Sequence, residues 1–216
     1  MFDKYISLGD NCEAGLNFSR IGYEYSSLLR FAMTPSKSLI DLFNNNFENI
    51  FEEILPVSNN MCQCQKYKIS FHTKMHSEMV DGVRKYKNNI DIQSLHNIDL
   101  EKIAYLREKF LSDMKSQDHI LYFLKSKQNL PKEYVLEIYN KIAAYGGNPT
   151  LLVLSENIID PVESESIYYE QISKFAPYTN AYDYDKTAWD EILSKYPLNN
   201  HEVNIKNGLI AVELGV

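Results

Sequence analysis

Hydrophobic and polar positions follow two periods along this chain, and the switches between them mark out its elements. Lys4 to Leu8 (Lys-Tyr-Ile-Ser-Leu) carries a short strand signal that runs into Gly9-Asp10-Asn11, a turn-forming cluster. From Cys12 to about Ile21 the spacing becomes helical, with Leu16 and Arg20 on one line and Ala14, Phe18 and Ile21 beside them. Asp10 or Asn11 is placed to cap the start of that helix, and Gly22 its end. Ser27 to Ala32 is apolar and reads as extended into Thr34-Pro35. Ser36 to Phe43 reads as a second helix capped by Ser36, and Phe47 to Leu55 continues in amphipathic fashion. Lys66 to His72 alternates Tyr67, Ile69 and Phe71 against Lys66, Lys68 and Ser70, the pattern of a half-buried strand.

The second half is more regular. Ile103, Leu106, Phe110 and Met114 give a helix over Asp99 to Met114, and His119 to Lys125 is a buried strand. Pro131 to Tyr145 is a helix with proline in its first turn and Gly146-Gly147 after its end. Thr150 to Ser155 is another apolar strand, and Lys186 to Lys195, which contains Trp189, is a last helix stopped by Pro197. Strands alternating with helices of this length predict an α/β fold: a single domain over residues 1–198 with a mostly parallel central sheet flanked by helices. Residues 199–216, with Asn207-Gly208 before Leu209-Ile210-Ala211-Val212, are expected to form a C-terminal edge strand or a tail.

Composition narrows the function classes. The chain has 216 residues, 44% hydrophobic and 24% charged, enough for an ordinary core. A formal net charge of −7 argues against a nucleic-acid partner, because phosphate binding needs a basic face. No stretch approaches a membrane span, and Met1 to Ile6 lacks the features of a signal peptide, so a cytoplasmic location is expected. Three cysteines in such a chain are expected to be free. Cys62-Gln63-Cys64, read as a loop, has no second pair and is a poor zinc signal; no metal site is expected.

The first turn carries the candidate chemistry. In open α/β sheets, ligands sit beyond the carboxyl ends of the strands. Gly9 permits a tight turn and close approach, and Cys12 falls at the start of the following helix. Unsatisfied N–H groups and the helix dipole there predict an acidified, nucleophilic thiol. The same groups, helped by the Asn11 amide, are placed to hold an oxyanion, with Gly9, Asp10, Asn11 and Glu13 as the binding residues. The competing reading makes Cys12 a small core residue and the turn a capped helix start. A thiol nucleophile works with a base. Of five histidines, His72 ranks first: it ends a strand which, in a parallel sheet, would face the same edge as Cys12. His76 would share a face with His72 were Phe71 to Met79 helical, His119 reads as structural, and His96 and His201 read as solvated. Asp183 and Asp185 lie in a polar loop and do not specify a third member.

Ser7-Leu8-Gly9-Asp10-Asn11-Cys12-Glu13, followed by Gly15, resembles the opening of a bacterial family with a Ser-Leu-Gly-Asp-Asn-Cys-Glu-Phe-Gly motif and no assigned function. That family is related to one labelled papain-like cysteine peptidases. Arg30-Phe31-Ala32-Met33-Thr34-Pro35, Phe71-His72, Leu151-Leu152-Val153 and Phe175-Ala176-Pro177 with Trp189 continue the likeness over most of the chain. More distantly, the turn is similar to the Gly-Asn-Cys-Gln turn of acyltransferase-like capsular-polysaccharide proteins and to the Gly-Asp-Ser turn of SGNH hydrolases. The resemblance implies SGNH-hydrolase-like or flavodoxin-like layering, a Cys12–His72 pair and Arg30 among the substrate-binding residues. It further implies a small-molecule or carbohydrate-linked substrate from surface-polysaccharide metabolism. The Asp-x-x-His of the serine hydrolases is absent, since Asp185 is followed by Trp189 in that frame. The expected activity is thiol-dependent acyl transfer or hydrolysis with no required cofactor and coenzyme A as one candidate acyl donor. The alternatives are a papain-like cysteine peptidase and a non-catalytic sugar- or anion-binding module.

Overall fold

The computed structural model describes residues 1–127, 130–157 and 160–199. Its centre is a four-stranded parallel sheet in the order β1 (Lys4–Ser7), β8 (His119–Ser126), β9 (Asn148–Ser155), β10 (Ile167–Gln171). Period-two alternation along β8 builds both cores. Ile120, Tyr122 and Leu124 face one way, and Leu121 and Phe123 face the other. On the second face lie α1 (Glu13–Arg20) and α5 (Lys186–Lys195), with Phe18, Trp189 and Ile192 packed against Phe123 and Leu152. On the first lie α2 (Ser36–Asn44), α3 (Ile92–Lys115) and α4 (Lys132–Ala143).

The α/β class and a helix-flanked parallel sheet are as expected, but a second sheet was not. It is antiparallel, in the order β2 (Ala32–Met33), β5 (Ser70–His72), β4 (Met61–Cys64), β3 (Ile54–Ser58), and it closes against the first-face core. A hairpin of β6 (Ser77–Val80) and β7 (Val83–Tyr86) follows it. Three expectations are corrected here. The Phe47 to Leu55 segment is not amphipathic helix but a run of turns that enters β3 at Ile54, with Phe47 and Phe51 held at positive φ while their rings are fully buried. The Lys66 to His72 strand shortens to three residues and leaves the parallel sheet. Cys62 and Cys64 lie on a strand, not a loop, and point together into the core, where Cys64 Sγ accepts from Phe51 N–H at 3.4 Å.

The helix that begins beyond Cys12 is stopped as expected. Gly22 takes φ +82, its N–H donates to Ser19 O and the Tyr23 N–H donates to Phe18 O, a Schellman pair. Its sheet-proximal face is crowded. A Cβ on Gly15 would sit 2.5 Å from the Arg30 carbonyl oxygen and 2.8 Å from the Phe31 ring, so glycine there lets the chain leading into β2 lie flat on α1. Residues 200–216, and with them His201 and the expected edge strand or tail, lie outside the described residues.

Candidate active site

β1 ends at Ser7, and the chain turns through Leu8 to Asn11 before α1 begins. Gly9 at φ +98 and Asp10 at φ +76 make this turn left-handed at two consecutive residues. Gly9 lies flat on the Thr34 side chain, which a Cβ would overlap. Cys12 occupies the N-cap position of α1, beyond the carboxyl end of the parallel sheet. Its Sγ is 3.5 Å from His72 Nε2 and 3.5 Å from the Phe31 carbonyl oxygen, so its single proton has two acceptors to choose between.

His72 reaches that position by a route the sequence did not reveal. β2 pairs with β5 through Ala32↔Phe71 and Met33↔Ser70, and extending that register by one residue puts Phe31 opposite His72. Gly15 lets the Phe31 segment press on α1, and the pairing then carries His72 to the thiol. The parallel-sheet reasoning was therefore wrong for β5, although the structure brings the two residues together.

The other expected site residues fall into different roles. Asn11 does not aim its amide at a substrate: its Oδ1 accepts from Glu13 N–H at 3.0 Å, and its Nδ2 faces the Ala176 carbonyl at 3.5 Å. It caps the helix. Glu13 is fully buried, a placement a carboxylate adopts only when paired. It accepts from Lys125 Nζ (2.9 Å), Ala176 N–H (3.0 Å) and Trp189 Nε1–H (2.8 Å). Asp10 pairs with Lys125 at 3.0 Å and accepts from Tyr178 Oη at 2.6 Å. Arg30, also buried, donates to the carbonyls of Gly15, Tyr23 and Tyr25 and to Ser19 Oγ, and pairs with Glu24 at 3.2 Å. Its guanidinium ties the α1–β2 connection together. Asp185 caps α5 through Ala188 N–H, and Asp183 pairs with Lys174 at 2.9 Å.

Two residues that the sequence did not mark as part of the site matter here. Lys125 ends a run of apolar residues on β8 and continues the row of Leu121 and Phe123, which brings its ammonium beneath the Cys12 turn. A lone lysine closing a buried strand was the available signal. Lys102, exposed on α3, places a positive charge near His72; nothing in the helical pattern marked it.

Burial pushes the Cys12 thiol up to about 11, and the positive charge of Lys125 offsets only part of that. The expected acidified thiol is thus corrected. The physical reason is that the thiolate would be desolvated, and Lys125 is already shared between Asp10 and Glu13. His72 is held below its ordinary 6.5, first by partial burial of the ring and then by Lys102. At neutral pH the pair therefore rests as S–H beside neutral imidazole, the state in which histidine can take a proton.

Of the remaining histidines, His76 lies between β5 and β6 rather than on a helix. His96 Nε2 is 2.7 Å from the Phe51 carbonyl, so it is a contact rather than a solvated side chain. His119 sits 2.9 Å from Thr150 Oγ1. Among the described residues, no group of three or more His, Cys, Asp or Glu side chains is arranged to hold a metal ion. No helix among them is long and apolar enough to cross a membrane. In comparisons with protein-family models, curated proteins and solved structures, the chain matches none.

Proposed function

We propose that this chain is a thiol-dependent acyl-transfer enzyme of SGNH-like layering, with Cys12 as nucleophile and His72 as general base. The observation that carries the reading is the 3.5 Å approach of Cys12 Sγ, at the start of α1 beyond the parallel sheet, to His72 Nε2, at the end of β5 in the antiparallel sheet. His72 Nε2 takes the thiol proton as sulfur attacks an acyl carbonyl and a C–S bond forms. The carbonyl electrons move onto oxygen at the N-terminus of α1, where the first-turn N–H groups, Ala14 and Gly15 among them, have no acceptor within the helix. On collapse, the leaving group departs with the proton from His72, leaving a thioester on Cys12. Water or a second acceptor then attacks that thioester and regenerates the thiol. Hydrolysis and transfer share this intermediate.

The raised thiol supports a second reading, a binding module in which Cys12 only lines a ligand site. Incubation with p-nitrophenyl acetate separates the two. An enzyme gains one acetyl group on Cys12 by intact mass and peptide mapping, and Cys12→Ala gains none. Acetylation of wild type no faster than of free cysteine contradicts the acyl-transfer reading.

A further inference from the structure

Glu13 immediately follows the nucleophile, and its surroundings are unlike those of an ordinary first-turn carboxylate. Acidic residues at a helix start normally face solvent and interact with the dipole at a distance. This one is fully buried and takes donors from three separate elements: Lys125 on β8, the Ala176 backbone beyond β10 and the Trp189 indole on α5. Its own N–H is held by Asn11 Oδ1 and its carbonyl accepts from Asn17 Nδ2 at 3.1 Å. Lys125 is fixed in turn by Asp10 and by the Phe175 ring, 4.6 Å from its Nζ. The backbone on both sides of Cys12 is thus tied to buried groups, while the thiol's own contacts, with Phe31 O and His72, are long.

We infer that Glu13 is a positioning residue, which fixes the direction of the Cys12 Sγ toward His72 by clamping the first turn of α1 to β8, α5 and the Ala176 segment. The inference rests on the acyl-transfer reading. A merely structural carboxylate would support the fold without caring whether His72 is present. A positioning carboxylate acts through the pair, so its effect depends on His72. A misplacement of about 1 Å is enough to cost on the order of a hundredfold in a reaction of this kind.

The test is the rate of Cys12 acetylation by p-nitrophenyl acetate in the full chain, for Glu13→Gln, His72→Ala and the double variant. Trp189 is the single tryptophan and donates to Glu13, so its shielding from acrylamide reports whether the clamp region stays closed. Glu13→Gln is expected to slow acetylation by about tenfold or more with His72 present and by less than about twofold without it, with Trp189 still shielded. Equal losses in both backgrounds, or none in either, overturn the inference while leaving the acyl-transfer reading intact. Should Glu13→Gln expose Trp189, Trp189→Phe decides, since it removes one donor and keeps the charge. A several-fold loss that depends on His72 supports the inference, and an unchanged rate overturns it. A wild-type chain left unacetylated at Cys12 overturns both together.

Discussion

The two sheets each deliver one half of the candidate site, and they hold it differently. The parallel sheet presents Cys12 on a turn tied down from beneath, with Lys125 fully buried between Asp10 and Glu13 and every oxygen of Glu13 engaged. The antiparallel sheet presents His72 at the exposed end of a three-residue strand, where among the described residues its ring meets the thiol as its hydrogen-bond partner. The buried contacts thus hold the turn that carries the sulfur, while the imidazole is held by fewer of them. That division suits a base which must accept a proton from one atom and pass it to another. It also predicts different signatures for damage: losing the buried counter-charge beneath Cys12 should cost stability, and changes at His72 should cost rate alone.

The widest separation is expected at the pair itself. Cys12→Ala should abolish acetylation of the chain's reactive thiol altogether, read as intact mass. His72→Ala should slow it by about 10²–10⁴-fold, the usual worth of a general base, with little change in melting temperature because the side chain is exposed. Lys125→Met should instead cost stability first. It leaves Asp10 and Glu13 without their shared counter-charge, at a cost of about 3–5 kcal/mol, or on the order of 10 °C in melting temperature. If Lys125→Met melts like wild type, the clamped half of the comparison is wrong.

Gly15→Ala is a finer test because two effects oppose each other. Helix propensity alone favours alanine by about 1 kcal/mol. The 2.5 Å approach to the Arg30 carbonyl predicts instead a net loss of about 1–2 kcal/mol by calorimetry, as α1 is pushed off the Phe31 segment. The smallest effect belongs to Lys102. Its charge disfavours the imidazolium, so Lys102→Gln should move the acid limb of the acetylation profile to higher pH.

How much of this was legible in the sequence follows the same division. The Cys12 half was readable because its signals are local: a strand, a turn of Gly9, Asp10 and Asn11, a helical period and Gly22 at the stop. The strands β8 and β9 and the helix α5 announced themselves by continuous apolar runs or helical spacing. The His72 half was not readable, because β2, β3, β4 and β5 are two to five residues long and the β2–β5 pairing that delivers His72, Ala32↔Phe71 and Met33↔Ser70, is non-local. Such strands lack room for a clear alternation, and Phe47 and Phe51 mimic an amphipathic helix while lying in left-handed turns. His72 was singled out partly for the right feature, its place at a strand end, and partly for the wrong one, membership of the parallel sheet. Glu13 and Asn11 were assigned to substrate because a polar first turn reads as an open one. Their burial depends on Lys125, Ala176 and Trp189, more than 100 residues away.

The central claim is that His72 takes the proton of Cys12, and its two pKa values lie far enough apart to decide it. The measurement is the pH dependence of Cys12 acetylation by p-nitrophenyl acetate, in wild type and in His72→Ala. A base held below 6.5 becomes competent as pH rises through that region, so the wild-type rate should climb along a limb with its midpoint below 6.5 and then level off. That limb should vanish in His72→Ala, leaving a rise governed by the thiol at about 11. Superimposable profiles for the two proteins, both rising only in the alkaline range, would contradict the account.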